Sequence, residues 1–516
     1  MNMKNINILK YTVAAGLAIA SLSSCDLDLV PEDAIAYEKG KQLFLTANDV
    51  KSFENGVLSS YRSIHYGVFY YVPDLICDGF NAAVDYGNNY GSIHRCDESF
   101  TSSDYDTEDL WENNYYAIKN YNIVISNADN VDASIRNIAR IAKGEAFFCR
   151  ASSYLNLARH YGKAYGFASD SDLAVPLVLV YDQLAKPARA TVKETYAQVK
   201  SDLDSAAVIL AKVPGSVRAQ KPTIDAVNAL YARYYLDTKN YTDAAKFAEL
   251  VISSKAGYAL ASTEEEMKTE YTNDEGKEPI MQMFASMNEG KGAITVYTNP
   301  GNDKKEGVYL APFYLPTKAL VDAYDDNDLR FKAWFSNEYP VRMSGSFFKE
   351  KFYSFTKYLD NPNLHTGEIP VGTHAVKTLL VGEMYLIAAE AYAQSGNVAK
   401  AKELLNALQL KRGAVATSGD LANVKKEWFR ETVGEGLRYS CLKRWGDGFS
   451  AREPQVGADE AHVLMTGQYY EKRSMEASDY HFLYPVPAYE LKLNKNLVQN
   501  DGYTVTEKID DYEKDN

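Results

Sequence analysis

Apolar residues recur at steps of three and four along most of this chain, the period of helices that bury one face. From Leu110 to Ala128 the pattern puts Trp111, Tyr115, Ile118 and Asn122 on one side. From Val131 to Tyr161 it carries Ile135, Ile138, Phe147, Tyr154, Leu157 and Tyr161. Gly162 ends that run, and the stretch holding Pro176 and Pro187 reads as a connector. A further helix is predicted to open on Thr191, where Glu194 three residues on completes a capping box, and to stop at Pro214-Gly215. At this spacing Trp111, Tyr154, Tyr161, Tyr235 and Tyr392 are expected in the core.

Two stretches repeat one another. LYARYYLDTKNYTDAAKFAELVI (Leu230 to Ile252) and IAAEAYAQSGNVAKAKELLNALQ (Ile387 to Gln409) align without gaps, matching Ala232 to Ala389, Tyr235 to Tyr392, Asn240 to Asn397, Ala244 to Ala401 and Phe247 to Leu404. Small residues let two antiparallel helices approach closely, and the large side chain fills the space beside the turn. That is the logic of a tetratricopeptide-type hairpin, and even two unrelated hairpins of this kind would stack as helix pairs.

Between the hairpins the character changes. Residues 262–376 are rich in Gly, Pro, Asn and Asp, with short β-like runs at Ala293 to Tyr297 (AITVY) and Ser346 to Phe355. The expected fold is therefore mainly α, a right-handed superhelix of tetratricopeptide-like hairpins decorated by loop-rich insertions with a few short strands. Within a single compact body, an N-terminal helical half spans 46–261 with a ligand-side loop at 77–106. The loop-rich insertion spans 262–376, and a C-terminal hairpin and closing segment span 377–516.

Composition narrows the function. The 516 residues carry a formal charge of −14, which argues against nucleic acid and against an anionic membrane surface as partners. Forty Tyr against four Trp supply many flat faces with a polar tip, suited to helix packing or to a ligand with both C–H faces and hydroxyls.

The N-terminus reads as a targeting segment. Lys4 and Lys10 precede an apolar core, Tyr11 to Ala20, too short to span a bilayer, and small residues then lead into Leu22-Ser23-Ser24-Cys25. This resembles a bacterial lipobox, with 1–24 removed, Cys25 acylated and 25–45 forming a tether. The body is then expected outside the cytoplasm, where thiols can oxidise. Cys77 and Cys96 flank one Gly/Asn/Tyr-rich loop and are candidates for a disulfide, while Cys149 and Cys441 sit in helical patterns as small buried hydrophobes.

Several stretches, in order, resemble the SusD/RagB-type family of outer-membrane nutrient-binding lipoproteins. They are GEAFFCRASSYLNLARHYG (Gly144 to Gly162), the first hairpin, PTKALVDAYDDNDLR (Pro316 to Arg330), EMYLIAAEAYAQSGNVAKAKELLNALQLKRG (Glu383 to Gly413), ETVGEGLRYSCLKRWG (Glu431 to Gly446) and YPVPAYELKLNKNLVQNDGY (Tyr484 to Tyr503). Two departures appear: Cys441 stands where an acidic residue is usual, and Asn500-Asp501-Gly502 replaces the commoner Asn-Pro-Gly. The resemblance implies a binding protein and not an enzyme, with no cofactor. It would be lipid-anchored at the outer face of a Gram-negative, Bacteroides-type outer membrane, capping a TonB-dependent barrel transporter of SusC type. Oligosaccharides, or in some members peptides, are the implied cargo.

The residues agree with a non-enzyme. The chain has no Gly-x-Ser-x-Gly, no His-Glu-x-x-His and no phosphate-binding loop, and its seven His show no ligand spacing. The acidic cluster Asp104, Asp106, Glu108 and Asp109 reads as a helix entrance or a cation site lacking an EF-hand's glycine. A glycosidase on a helical scaffold would need a carboxylate pair, and a scaffold that grips protein segments is the other alternative.

A sugar is held by an aromatic face and by hydrogen bonds to its hydroxyls. Asp78 to Arg95 (DGFNAAVDYGNNYGSIHR) combines the faces Phe80, Tyr86 and Tyr90 with the polar groups Asp78, Asn81, Asn88, Asn89 and Arg95. The resemblance adds a second group from the insertion: Tyr297, Tyr309, Phe313, Tyr314 and Trp334. For each aromatic the alternative is core packing.

Overall fold

In the computed structural model, residues 42–348, 351–450, 452–464 and 474–503 are described. Cys25, the signal segment and most of the tether lie outside them.

The N-terminal half begins with α1 (Ala47–Ser63), α2 (Val68–Leu75), β1 (Phe80–Ala82), α3 (Gly91–Arg95), α4 (Tyr105–Asn127) and α5 (Arg136–Tyr161). It continues with β2 (Leu173–Pro176), β3 (Arg189–Thr191), α6 (Val192–Leu210), α7 (Ile224–Asp237) and α8 (Tyr241–Ile252). The caps carry out what the sequence encodes. Thr191 and Glu194 form the reciprocal capping box of α6, and the Asp104 carboxylate accepts from the Asp106 and Thr107 N–H groups to start α4. α4 therefore begins five residues before the apolar run, and α5 begins five residues after its own run starts.

The insertion opens with α9 (Glu264–Thr272), β4 (Pro279–Gln282), β5 (Gly292–Ala293), β6 (Pro300–Asp303), β7 (Gly307–Leu310) and β8 (Tyr314–Pro316). After α10 (Lys318–Val321) and α11 (Leu329–Trp334) come β9 (Phe335–Ser336), β10 (Val341–Met343), β11 (Ser346–Phe348), β12 (Ser354–Phe355), β13 (Thr373–His374) and β14 (Lys377–Leu380). Of the expected strand Ala293 to Tyr297, only Ala293 is extended, because Ile294 to Tyr297 turns inward to bury Ile294, Val296 and Tyr297. The C-terminal part is α12 (Val381–Gln394), α13 (Val398–Lys411), α14 (Leu421–Glu431), α15 (Arg438–Trp445) and α16 (Ala488–Leu493).

The repeat is real in three dimensions. α7 with α8 and α12 with α13 are the two hairpins, and α8 packs directly on α12, so the stack continues across the insertion. Both turns are built alike: Asn240 and Asn397 cap their second helices at φ −84° and −87°, each preceded by a left-handed residue, Lys239 at φ 59° and Gly396 at φ 80°. Ala232, Ala389, Ala244 and Ala401 are fully buried, as close helix approach requires. Trp111, Tyr154 and Tyr161 lie in the core, whereas Tyr235 and Tyr392 are half-buried at its rim, Tyr392 donating to Glu249 of the neighbouring hairpin at 3.0 Å.

Buried ion pairs fasten the insertion to the frame. Arg330 of α11 has its guanidinium on Asp328 (2.7 Å), Glu427 (2.6 Å) and Glu431 (2.8 Å), all essentially without solvent. Arg412 bridges Glu278 and the same Glu431. Each charge is costly to bury alone and is compensated only in this company.

Cys77, Cys96, Cys149 and Cys441 are buried and none is in a disulfide. This corrects the Cys77–Cys96 alternative: each thiol donates instead to a carbonyl of its own preceding turn, Cys77 to Pro73 and Cys96 to Ile93.

Candidate functional site

Strands β1 and β8 pair antiparallel, Phe80 opposite Pro316 and Ala82 opposite Tyr314. This pairing joins the two groups of candidate residues, and it also turns several of them inward. Phe80 packs on Tyr297 at 4.5 Å and on Phe355 at 5.5 Å; Asn81 donates to the Glu453 carbonyl; Tyr314 donates to the Asn89 carbonyl at 2.7 Å. Trp334 lies buried under the Lys357 ammonium. Phe80, Asn81, Tyr297, Tyr314 and Trp334 are therefore core residues, and the expectation that they offer faces to a ligand is corrected. Strand pairing and the insertion's own packing close over them.

What stays open is the loop from Asp85 to Arg95. Arg95 braces it, donating to Asp97 (2.7 Å), to the Tyr86 hydroxyl (2.8 Å) and to the Asn88 side-chain carbonyl (2.8 Å). Tyr86 is thereby a brace with its edge toward Tyr314, not a free platform. Asn88 and Tyr90 both take φ 58°, and a side chain on Gly91 would collide with Asn88 at 2.2 Å. Two non-glycine residues held left-handed within three positions store strain that the Arg95 fork maintains, so the loop is pre-shaped. Asn88 is exposed, and Asn89 and Tyr90 are half-exposed. Asp78 is already engaged by Arg438 at 2.7 and 2.9 Å; burial would raise its carboxyl, and Arg438 outweighs this and holds it low.

Beside the loop stand Tyr71 and Tyr105, two rings that sequence reasoning missed. Tyr90 meets Tyr71 edge-on at 5.0 Å with their hydroxyls 2.8 Å apart, and Tyr105, at the first turn of α4, is 64% exposed. Ser92 donates to the Asp104 carboxylate at 2.5 Å, which locks the loop to that same turn. The next residue, Asp106, is 4% exposed, and burial together with Asp104 and Asp109 pushes its carboxyl up to about 8. At neutral pH it is an uncharged acid able to donate a hydrogen bond. The sequence signal was present: an aromatic directly after an Asp cap must sit at the mouth of the helix. Of the acidic cluster, Asp104 caps α4 and Asp106 and Glu108 lie in its first turn; among the described residues no group of three or more His, Cys, Asp or Glu is placed to hold a metal ion.

A second aromatic spot lies on the sheet ordered β11-β10-β7-β6, which leans on the loop through Ser344 donating to Asp85. Here the half-exposed Tyr309 lies over Gly301, meets Phe347 edge-on at 5.3 Å, and accepts from Arg342 at 3.2 Å. Phe313 is half-buried beside it in sequence, its carbonyl taken by Ala83.

Two family models match the chain, one described as starch-binding and associating with the outer membrane over residues 50–236, the other that of the SusD family over residues 257–503. The chain belongs to the SusD family. Its fold is shared with a Bacteroides vulgatus protein named for sugar binding, at 25% identity and a TM-score of 0.71 over 90% of this chain and 100% of that one. A SusD superfamily protein from Bacteroides thetaiotaomicron gives 23% identity and a TM-score of 0.71, covering 88% of this chain and 100% of the other. Surface glycan-binding protein A of the same organism, solved with laminarihexaose, shares the fold at 19% identity and a TM-score of 0.66, over 87% of this chain and 99% of that one. No curated protein matches the chain. Among the described residues of this SusD-family protein, no helix is long and apolar enough to cross a membrane.

Proposed function

We propose that this SusD-family protein captures oligosaccharides at the Asp85 to Arg95 loop and passes them to a TonB-dependent barrel transporter of SusC type. The observation that carries the reading is the placing of Tyr90 and the solvent-facing Asn88 and Asn89, on one strained, braced loop, beside Tyr105 and the uncharged Asp106 in the first turn of α4. The rings supply faces for sugar C–H groups, and the amides and acid supply hydrogen bonds to hydroxyls. Tyr309, Phe347 and Arg342 extend the platform toward the sheet. Acylation of Cys25 would keep the body at the outer face of the outer membrane, so that a weakly held cargo is released beside its transporter.

Calorimetry of the protein against a polysaccharide panel tests this. Binding of at least one glycan, weakened about tenfold by Tyr105→Ala, supports it. Silence across the panel with binding of peptides would make the cargo a peptide, and release of shortened products from a bound glycan would make the protein a glycosidase.

A further inference from the structure

The first helix of the frame, α1, lies across α4 and α5 on its buried Val50, Val57 and Tyr61. Its middle carries a polar contact that hydrophobic packing does not explain. Glu54 of α1 is in hydrogen-bond contact with Glu145 of α5, and Lys221, from the connector between α6 and α7, pairs with Glu54 at 2.6 Å. Glu145 is 2% exposed and the Glu54 side chain 14%, whereas the Lys221 side chain is 47% exposed.

Two carboxylates have only acceptors to offer one another. A hydrogen bond between them needs a proton, and two acids that face a single cation in a buried space hold that proton tightly. Lys221 decides where it sits. Its ammonium rests on Glu54, so Glu54 is the carboxylate and Glu145 the acid that donates to it. Burial pushes the Glu145 carboxyl well above its ordinary 4.5, the charge of Glu54 and the hydrogen bond to it add to this, and Lys221 opposes them without cancelling them. The other neighbours do not supply a second cation. Against α5 at this point α6 presents the apolar Ile209 and Leu210, beside Gly144, and the Cys149 thiol one turn along is itself pushed up by burial and by Glu145. Tyr61 of α1 and Tyr121 of α4 bear on that thiol.

We propose that the proton between Glu145 and Glu54 is a pH-sensitive latch: while it is in place α1 is held on the frame, and its loss drives the two carboxylates apart and frees α1. Only one of the two charges can be answered by Lys221, and a buried carboxylate left without a partner is costly. α1 is the first described helix, the point at which the chain following Cys25 enters the frame, so the latch sets how firmly that entry is fixed to the body. The inference does not rest on the loop site.

Glu145→Gln keeps the shape of the acid and donates permanently to Glu54. In the parent, Glu145 ionises above 4.5 in the unfolded chain and not in the folded one. The stability it gives is therefore complete below 4.5 and is lost by about tenfold in the folding constant per pH unit until the folded acid titrates. Denaturant titrations of the full chain should show the folding constant of Glu145→Gln gaining about tenfold or more on the parent between about pH 5 and about pH 7. Hydrogen exchange, corrected for the intrinsic rate at each pH, should show α1 of the parent losing protection relative to the hairpin α12–α13 between about pH 7 and about pH 9, and α1 of Glu145→Gln keeping it. The latch is overturned if the variant gains nothing on the parent over the lower interval, if α1 of the parent keeps its protection over the upper one, or if α1 loses it equally in both proteins.

Discussion

Asp106 is held by its surroundings as an acid in the physiological range. Burial, with Asp104 and Asp109 adding to it, moves its carboxyl from 3.8 to about 8. If it donates to a sugar hydroxyl, affinity should hold up to about pH 7 and fall as the pH rises through about 8, where the donor proton is lost. Asp106→Asn keeps a donor and should abolish that pH dependence, which titrations in buffers on both sides of pH 8 would check. Tyr86, in contrast, works through Arg95. Tyr86→Phe removes one acceptor from that fork and should weaken binding by loosening the loop, visible as faster proteolysis between Asp85 and Arg95 in the absence of ligand. How little of this could be read from the chain follows from the same residues. Tyr86, Tyr90 and Tyr105 are chemically alike, and only pairing partners distant in sequence, Tyr314 for the first and Tyr71 for the second, decide which ring faces water.

The hairpins were legible because their signals are local. The helical period, Asn caps and small residues at matched positions determine two helices and a turn without reference to the rest of the chain. The equivalence of Lys239 and Gly396 makes this testable. Gly396 at φ 80° has open space around its missing side chain, so Gly396→Ala should cost about 1 kcal/mol through backbone conformation alone, measurable as a shift in denaturant midpoint without loss of the fold. The strands of the insertion were not legible for the opposite reason. β1, β8, β9 and β12 are two or three residues long, too short for an alternating pattern, and they exist because distant partners align them. Phe80 and Tyr297 therefore look like loop aromatics in the sequence and become core in the fold.

At the scale of the whole molecule, buried charge sets both the architecture and its response to pH. Arg330→Met would leave Asp328, Glu427 and part of Glu431 uncompensated, and unfolding experiments should show a loss of about 3–5 kcal/mol. Two sets of buried groups oppose one another in pH. Burial pushes His65 and His374 down to about 4 and His160 to about 3, so stability falls as the pH drops below 6.5 and the unfolded chain alone takes up protons. Burial pushes Asp74 up to about 7 and Asp106 and Glu270 to about 8, so stability falls as the pH rises from about 4 toward those values, where only the unfolded chain readily ionises. Burial would also raise Glu431, but Arg412 and Arg330 hold it at about 2, and that contribution is lost on acidification below 4.5. The opposing slopes nearly cancel between about pH 4.5 and 6.5, so melting temperature should be highest there and lower at pH 7.5. Lys443, pushed down to about 7 by burial, moderates the fall above neutrality. A scan of melting temperature against pH checks the sign.

The central claim is that the loop beside α4 binds glycan through Tyr90, Tyr105 and Asp106. Calorimetric titration of a polysaccharide panel into the parent protein and into Tyr90→Ala with Tyr105→Ala tests it most directly. The account predicts at least one glycan that binds the parent and is lost from the double variant, with both proteins melting alike. A glycan that binds both equally would contradict it.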